Sequence, residues 1–443
     1  MNVIYLHTHD TGRYIQPYGY GIPTPNLMRL AKEGTVFRHA YCAAPTCTPS
    51  RSALLSGMSP HSCGIFGLTN MGFKWPDYSK HLVSQLNGLG YETALSGVQH
   101  EYDSKCGDYQ KFLFDMHGER NIGNTDWDTL DVESAIAAAE YIKAPHEKPF
   151  FLSNGYINTH REFKPHTGEQ NPGFLRAPAI FPDIAPVRED MADFVRSVSV
   201  VDRCVGIVLD AVAQSGIAED TFIFFTTDHG VASPRMKCNL YDEGIGVSLI
   251  IRAPGGGRAG QTVDALTSHI DLFPTICDYL QIPKPEWLQG NSLEPFLNGR
   301  ADRVNDEIFS EVTYHAAYEP MRAVRTQRYK YIRRFHDYEF TMPSNVDDSP
   351  LKELYKEWGF FSRPQPGEML FDLYLDPCER EDLAALPEYA GIYSDMKKRL
   401  DNWMRRTGDP LLEGRVGPPP TATVCKPGSF SIALAEYEYK PSQ

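Results

Sequence analysis

One short segment of the chain places a cysteine, a proline and an arginine in the order Cys47-Thr48-Pro49-Ser50-Arg51. Proline suits the first turn of a helix, so the segment predicts a helix that begins at Cys47. Backbone N–H groups and the helix dipole at such a start favour a bound anion. Arg51 follows one turn later and can reach the same position. A buried structural cysteine beside a surface arginine explains these five residues equally well.

Two acid–histidine pairs follow apolar stretches of the sequence. His9-Asp10 comes soon after residues 3–6, and Asp228-His229 comes soon after residues 222–226. Catalytic groups of parallel sheets usually lie at the carboxyl ends of strands. Each pair alone is also typical of a turn. Because two such pairs each follow a buried strand, one metal ion bound by both pairs is favoured over two unrelated turns.

Three other side chains could move protons or bind anions. His100 and His160 suit general acid–base chemistry, and Lys237 suits charge stabilisation. A histidine behind a strand is often only a hydrogen-bonding residue, and a lone lysine is often a solvated surface residue. Their functional interpretation therefore depends on the motifs around them.

The elements that must position these residues alternate along the chain. Nearly continuous apolar runs at 3–6, 150–153, 222–226 and 247–251 predict strands that are buried on both faces. Helical patterns lie between them, at 132–144 and 190–214. This alternation predicts an α/β fold with a large, mixed, mainly parallel sheet sandwiched by helices.

The last third of the chain has a different pattern. Residues 321–335 predict two strands around a turn, 369–375 predict another strand, and 392–407 predict an amphipathic closing helix. We therefore expect a catalytic domain over residues 1–318 and a smaller α+β C-terminal domain, with an antiparallel sheet, over residues 319–443.

Composition excludes some classes of protein. The 443 residues include 43 Lys and Arg and 57 Asp and Glu, for a net charge of −14. This balance argues against a general nucleic-acid binder but allows a local anion site. No apolar run approaches the roughly 18 residues that cross a bilayer, so no membrane association is expected.

The cysteines and the first residues bear on location. Nine cysteines are scattered without metal-finger spacing, and Met1-Asn2 runs directly into a strand pattern without a signal peptide. We therefore expect a cytoplasmic protein, although a secreted or periplasmic form trimmed of its leader would have the same sequence.

The motif at Cys47 continues as Ser52-x-Leu54-Leu55-Ser56-Gly57, and together the two resemble the signature of the type I, formylglycine-dependent sulfatases of the alkaline-phosphatase-like superfamily. The resemblance runs along nearly the whole chain. Its further matches are Thr24-Pro25-Asn26-Leu27, Gly90-Tyr91, Thr159-His160, Thr227-Asp228-His229-Gly230, Lys237 with Leu240-Tyr241, and Asp271-Leu272-Phe273-Pro274. Within the family the chain is most similar to sulfamidases (N-sulfoglucosamine sulfohydrolases), through the short link from Asp228 to Lys237, Ser310-Glu311-Val312-Thr313, Pro320-Met321-Arg322 and Thr341-Met342-Pro343.

The resemblance implies a hydrolase of sulfate esters or sulfamates. A formylglycine-generating enzyme would convert Cys47 to formylglycine, whose hydrate attacks sulfur with one hydroxyl and later expels sulfate with the other. His100 would be the base of the second step, and His160 would be the acid for the leaving group. Arg51 and Lys237 would neutralise the sulfate oxygens.

The resemblance also implies one divalent metal ion, with Asp10, Asp228, His229, His9 and the group at Cys47 as ligands. The sequence departs from the family here, because His9 replaces an aspartate and His229 stands where asparagine is frequent. Oxygen ligands suit Ca²⁺ or Mg²⁺, whereas imidazole shifts the preference towards Mn²⁺ or Zn²⁺. Ca²⁺ and Mn²⁺ are the leading candidates. Val98 occupies a position where most members carry a lysine.

The expected substrate is a small-molecule or saccharide sulfate that contacts Lys237, His160, Arg322 and His315. Arg322 belongs to a run of alternating basic residues, which is also typical of a solvated hairpin face. Two other functions stay open. One is phosphonate monoester or phosphodiester hydrolysis in the same superfamily, in which Asp-His at the second metal position is common. The other is a non-catalytic binder of anionic glycans. The sequence also leaves open a homo-oligomer.

Overall fold

The structure, a computed structural model, describes residues 1–102, 116–119, 126–336 and 338–441. It confirms the predicted α/β class, with a large mixed sheet flanked by helices and a smaller antiparallel sheet near the C-terminus. The strands are β1 Asn2–Thr8, β2 Thr35–Phe37, β3 Ala40–Tyr41, β4 Glu92–Gly97, β5 Met116–Glu119, β6 Phe150–Gly155, β7 Thr221–Thr227, β8 Leu249–Arg252, β9 Gln261–Val263, β10 Thr267–Ser268, β11 Glu307–Tyr314, β12 Tyr318–Thr326, β13 Tyr329–Arg334, β14 Glu368–Asp372, β15 Val424–Cys425 and β16 Tyr437–Tyr439. The α-helices are α1 Pro25–Glu33, α2 Cys47–Ser56, α3 Pro60–Cys63, α4 Leu82–Gly88, α5 Trp127–Lys143, α6 Ala185–Ser215, α7 Asp242–Ile245, α8 Leu272–Leu280, α9 Glu294–Leu297, α10 Pro350–Glu357 and α11 Ala390–Thr407.

The large sheet has the strand order β5-β4-β6-β1-β7-β8-β2-β9. From β5 to β7 all neighbours are parallel, and β8 is antiparallel to both β7 and β2. The carboxyl ends of β4, β6, β1 and β7 therefore meet at one edge of the sheet. The residues that follow these four strands include the predicted histidines and carboxylates.

The central strands are held by apolar side chains on both faces, as their continuous apolar runs predict. Val3 and Tyr5 of β1 pack on one side with Leu54 of α2. Ile4 and Leu6 pack on the other side, in a cluster that contains apolar residues of α5 and α6. The alternation of strand side chains thus anchors β1 between two helical layers and fixes where its last residues point.

The second sheet has the order β11-β12-β13-β14 and is antiparallel throughout. It confirms the hairpin predicted within residues 321–335. Helix α11 packs against it through residues that include Leu400 and Trp403. The expected domain boundary after residue 318 falls inside β12, one residue after its start. Because β12 pairs with β11, the sheet also includes Glu307–Tyr314, which lie before that boundary.

Among the described residues, no helix is both long enough and apolar enough to span a membrane.

Candidate active site

Helix α2 places Cys47 at the edge where the central strands end. The helix begins at Cys47 and ends before Gly57, which adopts φ 67° and so reverses the chain at little cost. Every residue of the helix is buried. Ser50 ties it to the end of β7, because its hydroxyl donates to the carbonyl of Asp228 over 2.6 Å. The predicted helix start at Cys47 is therefore confirmed.

Arg51 lies beneath Cys47 and is 1% exposed. Its Nη1 donates to Nδ1 of His7 over 2.7 Å, and its Nη2 donates to the carbonyl of Thr8 and to Oδ2 of Asp228 over 2.8 and 3.0 Å. The predicted cation is therefore in the site, where it joins α2 to β1 and β7. Nε of Arg51 has no partner among the described residues.

The two acid–histidine pairs converge, as their positions behind β1 and β7 predict. The backbone N–H of Asp10 donates to Oδ1 of Asp228 over 2.8 Å. Nε2 of His229 lies 3.4 Å from Oδ1 of Asp10 and 3.6 Å from Oδ2 of Asp228. It also lies 3.4 Å from Sγ of Cys47. Two distant parts of the chain therefore build one buried cluster around the cysteine.

The cluster is suited to a metal ion. The ligand atoms of His9, Asp10, Cys47 and Asp228 all lie within 4.8 Å of one another. Both ring nitrogens of His9 and Oδ1 of Asp10 are buried without a hydrogen-bond partner in the part of the chain that the structure describes. Unpaired buried polar atoms are costly, and a cation among them would remove that cost. The residues present thus fit a divalent ion.

Lys237 lies at the cluster between the carboxylates of Asp10 and Asp347. Its ammonium donates to Oδ2 of Asp10 over 3.0 Å and lies 3.0 Å from Oδ2 of Asp347 and 3.4 Å from Nε2 of His160. Burial alone would lower the pKa of Lys237, but the two carboxylates raise it well above its ordinary value. Lys237 is therefore a buried, permanently charged cation beside Cys47 rather than a surface residue.

Histidines from three other segments border the cluster. The side chain of His160 is 25% exposed, so it lies at the opening, whereas His315 is 4% exposed. His100 follows β4, and a ring nitrogen of it lies within 4.8 Å of Sγ of Cys47 and of a ring nitrogen of His9. Burial lowers the pKa of His315 to about 4, with Lys237 as the second cause, so this imidazole is neutral. His100 and His160 therefore lie at the cluster, and His315 lies within range of the charge of Lys237.

The charges around Cys47 act on its thiol. Burial alone would raise its pKa, but Lys237 and His229 lower it well below the ordinary value. Burial also opposes protonation of His160, yet the Asp10 carboxylate raises the pKa of that imidazole to about 9. The site is thus built to hold negative charge at position 47 beside a protonated histidine.

The prediction that Arg322 contacts substrate is wrong. Arg322 is 0% exposed, and its Nε and Nη2 donate to the two carboxylate oxygens of Asp409 over 2.6 and 3.1 Å. Nη1 donates to the carbonyls of Val312 and Met321 and to the hydroxyl of Thr313. With its donors occupied inside the C-terminal sheet, Arg322 is a structural residue.

Comparison with known proteins gives the chain a family. A model of the family described as "Sulfatase" matches residues 1–282, which is more than half of the chain. A second model, "N-sulphoglucosamine sulphohydrolase, C-terminal", matches residues 228–360. This chain belongs to the sulfatase family. The sulfatase motif at Cys47 lies within the first match.

Curated sulfatases are similar along nearly the whole chain. The human protein "N-sulphoglucosamine sulphohydrolase" is 27% identical over 468 residues, which cover 93% of this chain and 91% of the human one. The "Delta 4,5-hexuronate-2-O-sulfatase" of Bacteroides thetaiotaomicron is 28% identical over 475 residues, which cover 95% of this chain and 92% of that protein.

Solved structures share the fold of this sulfatase. A structure described as a 2-O GAG sulfatase superposes with a TM-score of 0.74 at 24% identity and covers 97% of both chains. Another, of a protein in complex with its substrate D-glucosamine-2-N,6-O-disulfate, has a TM-score of 0.72 at 19% identity and covers 92% of this chain and 98% of that chain.

Sequence reasoning missed one residue of the site. Asp347 comes from the C-terminal region, in the loop before α10, and its side chain is 20% exposed beside Lys237. No sequence signal separates it from the neighbouring Asp348. At the position where most family members carry a lysine, Val98 packs with Leu130 and Ile157 in a small apolar cluster.

Proposed function

We propose that this sulfatase hydrolyses a sulfate ester or sulfamate of a sulfated sugar, with a nucleophile derived from Cys47. The observation that carries the proposal is the position of Cys47, which starts a buried helix among two carboxylates, a buried arginine and a buried lysine. A plain structural cysteine has no need of these charges. The name of the human relative and the second family model support an N-sulfated glucosamine as the sugar, whereas the other curated relative is named for a 2-O-sulfated hexuronate.

The nucleophile and the metal are taken from the family. If converted to formylglycine, residue 47 would supply a hydrate hydroxyl for attack on sulfur, and a divalent cation would supply positive charge to the site. Asp10, Asp228 and His229, with His9 and the group at position 47, would hold that cation. The carboxylate oxygens favour Ca²⁺ and the imidazoles favour Mn²⁺, so these two ions are the leading candidates, ahead of Mg²⁺ and Zn²⁺.

The remaining charge stabilisation comes from Lys237 and Arg51. The ammonium of Lys237 stands 3.0 Å from Asp10, on the wall that faces His160. It is therefore placed to neutralise a sulfate oxygen next to residue 47. Arg51 contributes through Asp228. Its Nη2 donates to Oδ2 of Asp228 over 3.0 Å and so positions that carboxylate in the cluster.

His160 is placed to protonate the leaving group. Its Nδ1 lies 2.5 Å from the carbonyl of Arg161, an atom that only accepts, so Nδ1 carries hydrogen and Nε2 faces the cluster. Both candidate acid–base histidines are partly exposed, and His160 is the one whose Nε2 lies beside Lys237 and Asp10. A protonated Nε2 can deliver its proton to the sugar oxygen or nitrogen as the bond to sulfur breaks. His100, on the side of Cys47, is the proposed base for the second step.

A three-substrate assay tests the proposal. The purified protein is incubated with an aryl sulfate, glucosamine N-sulfate and phenyl phosphonate, and the released sulfate or phosphonate product is measured. We expect sulfate release from one or both sulfur substrates, well above any phosphonate hydrolysis. Faster phosphonate hydrolysis would favour the superfamily alternative. No turnover of any of the three by metal-loaded protein would favour a glycan binder.

A further inference from the structure

The imidazole of His229 turns one nitrogen towards the cluster. Its Nδ1 lies 2.9 Å from the carbonyl of Gly230, which can only accept a hydrogen bond. Nδ1 therefore carries a hydrogen, and Nε2 is the nitrogen that would bind a cation. Nε2 lies 3.4 Å from Oδ1 of Asp10, 3.6 Å from Oδ2 of Asp228 and 3.4 Å from Sγ of Cys47. A backbone carbonyl that orients the far side of a ring is the usual support of a metal-binding histidine.

His9 presents the second imidazole. It is 1% exposed, and neither ring nitrogen has a hydrogen-bond partner among the residues that the structure describes. Its Nδ1 lies 3.5 Å from Oδ2 of Asp228, and Oδ1 of Asp10 in the same group is also unpaired. A buried imidazole with two unpaired nitrogens is unfavourable in a purely structural role, because its desolvation is not compensated.

Besides the group at position 47, the donors are two imidazole nitrogens and two carboxylates, from His9, His229, Asp10 and Asp228. Ca²⁺ and Mg²⁺ take oxygen ligands almost exclusively, whereas imidazole suits Mn²⁺, Fe²⁺, Co²⁺ and Zn²⁺. The sequence has a histidine at both positions where the family resemblance implies an oxygen donor. The site therefore fits a divalent cation but does not fit Ca²⁺ well.

We infer that this centre selects a first-row transition-metal ion over Ca²⁺ and Mg²⁺, with His9 and His229 as the nitrogen ligands that set the preference. The inference rests on the proposed function only for the presence of a cation at this edge of the sheet. It concerns which ion binds and through which atoms, so it can be tested without turnover.

Metal binding by the full chain is the test. Chelator-stripped protein is titrated separately with Mn²⁺ and Ca²⁺ by calorimetry, and the Mn²⁺ form is examined by pulsed EPR for coupling to ¹⁴N. We expect Mn²⁺ to bind roughly 100-fold more tightly than Ca²⁺ and to show coupling to imidazole nitrogen. Equal affinity for Ca²⁺, or Mn²⁺ without nitrogen coupling, would overturn the inference.

Variants separate the two histidines. His9→Asp and His229→Asn restore oxygen donors, and the double variant should bring the Mn²⁺ and Ca²⁺ affinities close together. His39→Gln is the matched control, since this half-buried histidine pairs with Gln327 outside the cluster and should leave both affinities unchanged. If the double variant fails to fold, the nitrogen coupling in the wild-type protein still decides the question.

The two proposals fail separately. Tight Mn²⁺ binding with nitrogen coupling, in a protein that hydrolyses none of the three substrates, would support the metal assignment and count against the sulfatase activity. Sulfate release by a protein that prefers Ca²⁺ would support the sulfatase activity and count against the metal assignment.

Discussion

Two buried clusters in this protein have similar residue types and spacing, but they differ in how their polar atoms are paired. His9, Asp10, Asp228 and Cys47 gather at the edge of the large sheet, and His61, Glu311 and Asp409 gather under the small one. Each set has ligand atoms within 4.8 Å of one another, and each has an arginine beside it. Composition and spacing alone would assign both as metal sites.

The arginine distinguishes them. In the second cluster Arg322 lies within 2.6 Å of Asp409 and 3.4 Å of Glu311, and it fills the place where an ion would sit. His61 then shares its Nδ1 with Glu311 at 2.5 Å. In the first cluster Arg51 stays below the carboxylates, while His9 and Oδ1 of Asp10 remain unpaired. In the structural cluster both carboxylates are paired and only Nε2 of His61 lacks a partner among the described residues. In the functional cluster a carboxylate oxygen of Asp10 and both ring nitrogens of His9 lack one.

Replacing the cysteine of the functional cluster should have the largest effect. Cys47→Ala should lower the turnover of the best sulfate substrate by at least ~10⁴-fold, because it removes the precursor of the nucleophile. The measurement is initial-rate kinetics on protein whose circular dichroism matches the wild type. Cys42→Ala is the matched control, since Cys42 is equally buried five residues earlier and should leave turnover nearly unchanged. An active Cys47→Ala protein would contradict the proposed role.

Removing the arginine of the structural cluster should act on stability instead. Arg322→Met leaves Asp409 and Glu311 buried without their cation, and we expect a loss of about 3–5 kcal/mol in the free energy of unfolding. Urea denaturation measures this loss, and Arg38→Met is the control. Arg38 pairs with Asp264 at the surface, where both side chains are 51% exposed, so its loss should cost less than about 1 kcal/mol.

The substrate prediction for Arg322 is tested by the same variant. A folded Arg322→Met protein with normal stability and a raised KM would return Arg322 to the substrate pocket.

The contribution of Asp131, which supports the segment before His160, to the free energy of unfolding should depend on pH. Asp131 accepts hydrogen bonds from the backbone N–H groups of Ile157 and Asn158, just before His160. Burial raises its pKa to about 7 from an ordinary value of 3.8, so the folded protein keeps the proton that the unfolded chain releases. The stability from this carboxyl is complete below about pH 4 and is lost as the pH rises through about 7.

Urea denaturation from pH 4 to pH 8 measures this effect against an Asp131→Asn reference. We expect the difference in the free energy of unfolding between wild type and variant to fall by on the order of 1–3 kcal/mol over that range. A difference that is flat with pH would show that Asp131 is ionised throughout.

The smallest effect is expected at the rim of the functional cluster. Asp347→Asn removes one negative charge 3.0 Å from Lys237, so the pocket becomes more attractive to an anion. One charge at this range is worth about 1 kcal/mol in a water-exposed site, which predicts a KM for an anionic sulfate lower by roughly 2- to 5-fold. Asp348→Asn is the control, because Asp348 is 55% exposed and pairs with Lys352. A raised KM would mean that Asp347 binds the substrate itself.

Much of the fold could be predicted because the large sheet is buried on both faces. The continuous apolar run at 222–226 became β7, Thr221–Thr227, and the helical pattern at 190–214 became α6, Ala185–Ser215. Short edge strands such as β9, Gln261–Val263, have two exposed residues of three and carry no such signal. The boundary at 318 was set by a change of composition, which does not report that β11 pairs with β12.

The site was predictable wherever a residue follows a recognisable strand or motif. Asp10, Asp228 and His229 are fixed by the ends of β1 and β7, and Cys47 and Arg51 are fixed by one helix. Asp347 enters from a loop whose course depends on tertiary packing, so its sequence neighbourhood does not mark it. Arg322 was misassigned because alternating basic residues on a strand do not reveal which of them meets a buried carboxylate.

The central claim is that residue 47 provides the nucleophile of a sulfatase active site. The most direct measurement is tandem mass spectrometry of the tryptic peptide over residues 39–51, taken from a preparation that releases sulfate. Fragment ions must separate residue 47 from Cys42 in the same peptide. We predict that residue 47 is lighter than cysteine by about 18 Da, as oxidation of a thiol to an aldehyde requires. An active preparation in which residue 47 is entirely unmodified cysteine would contradict the account.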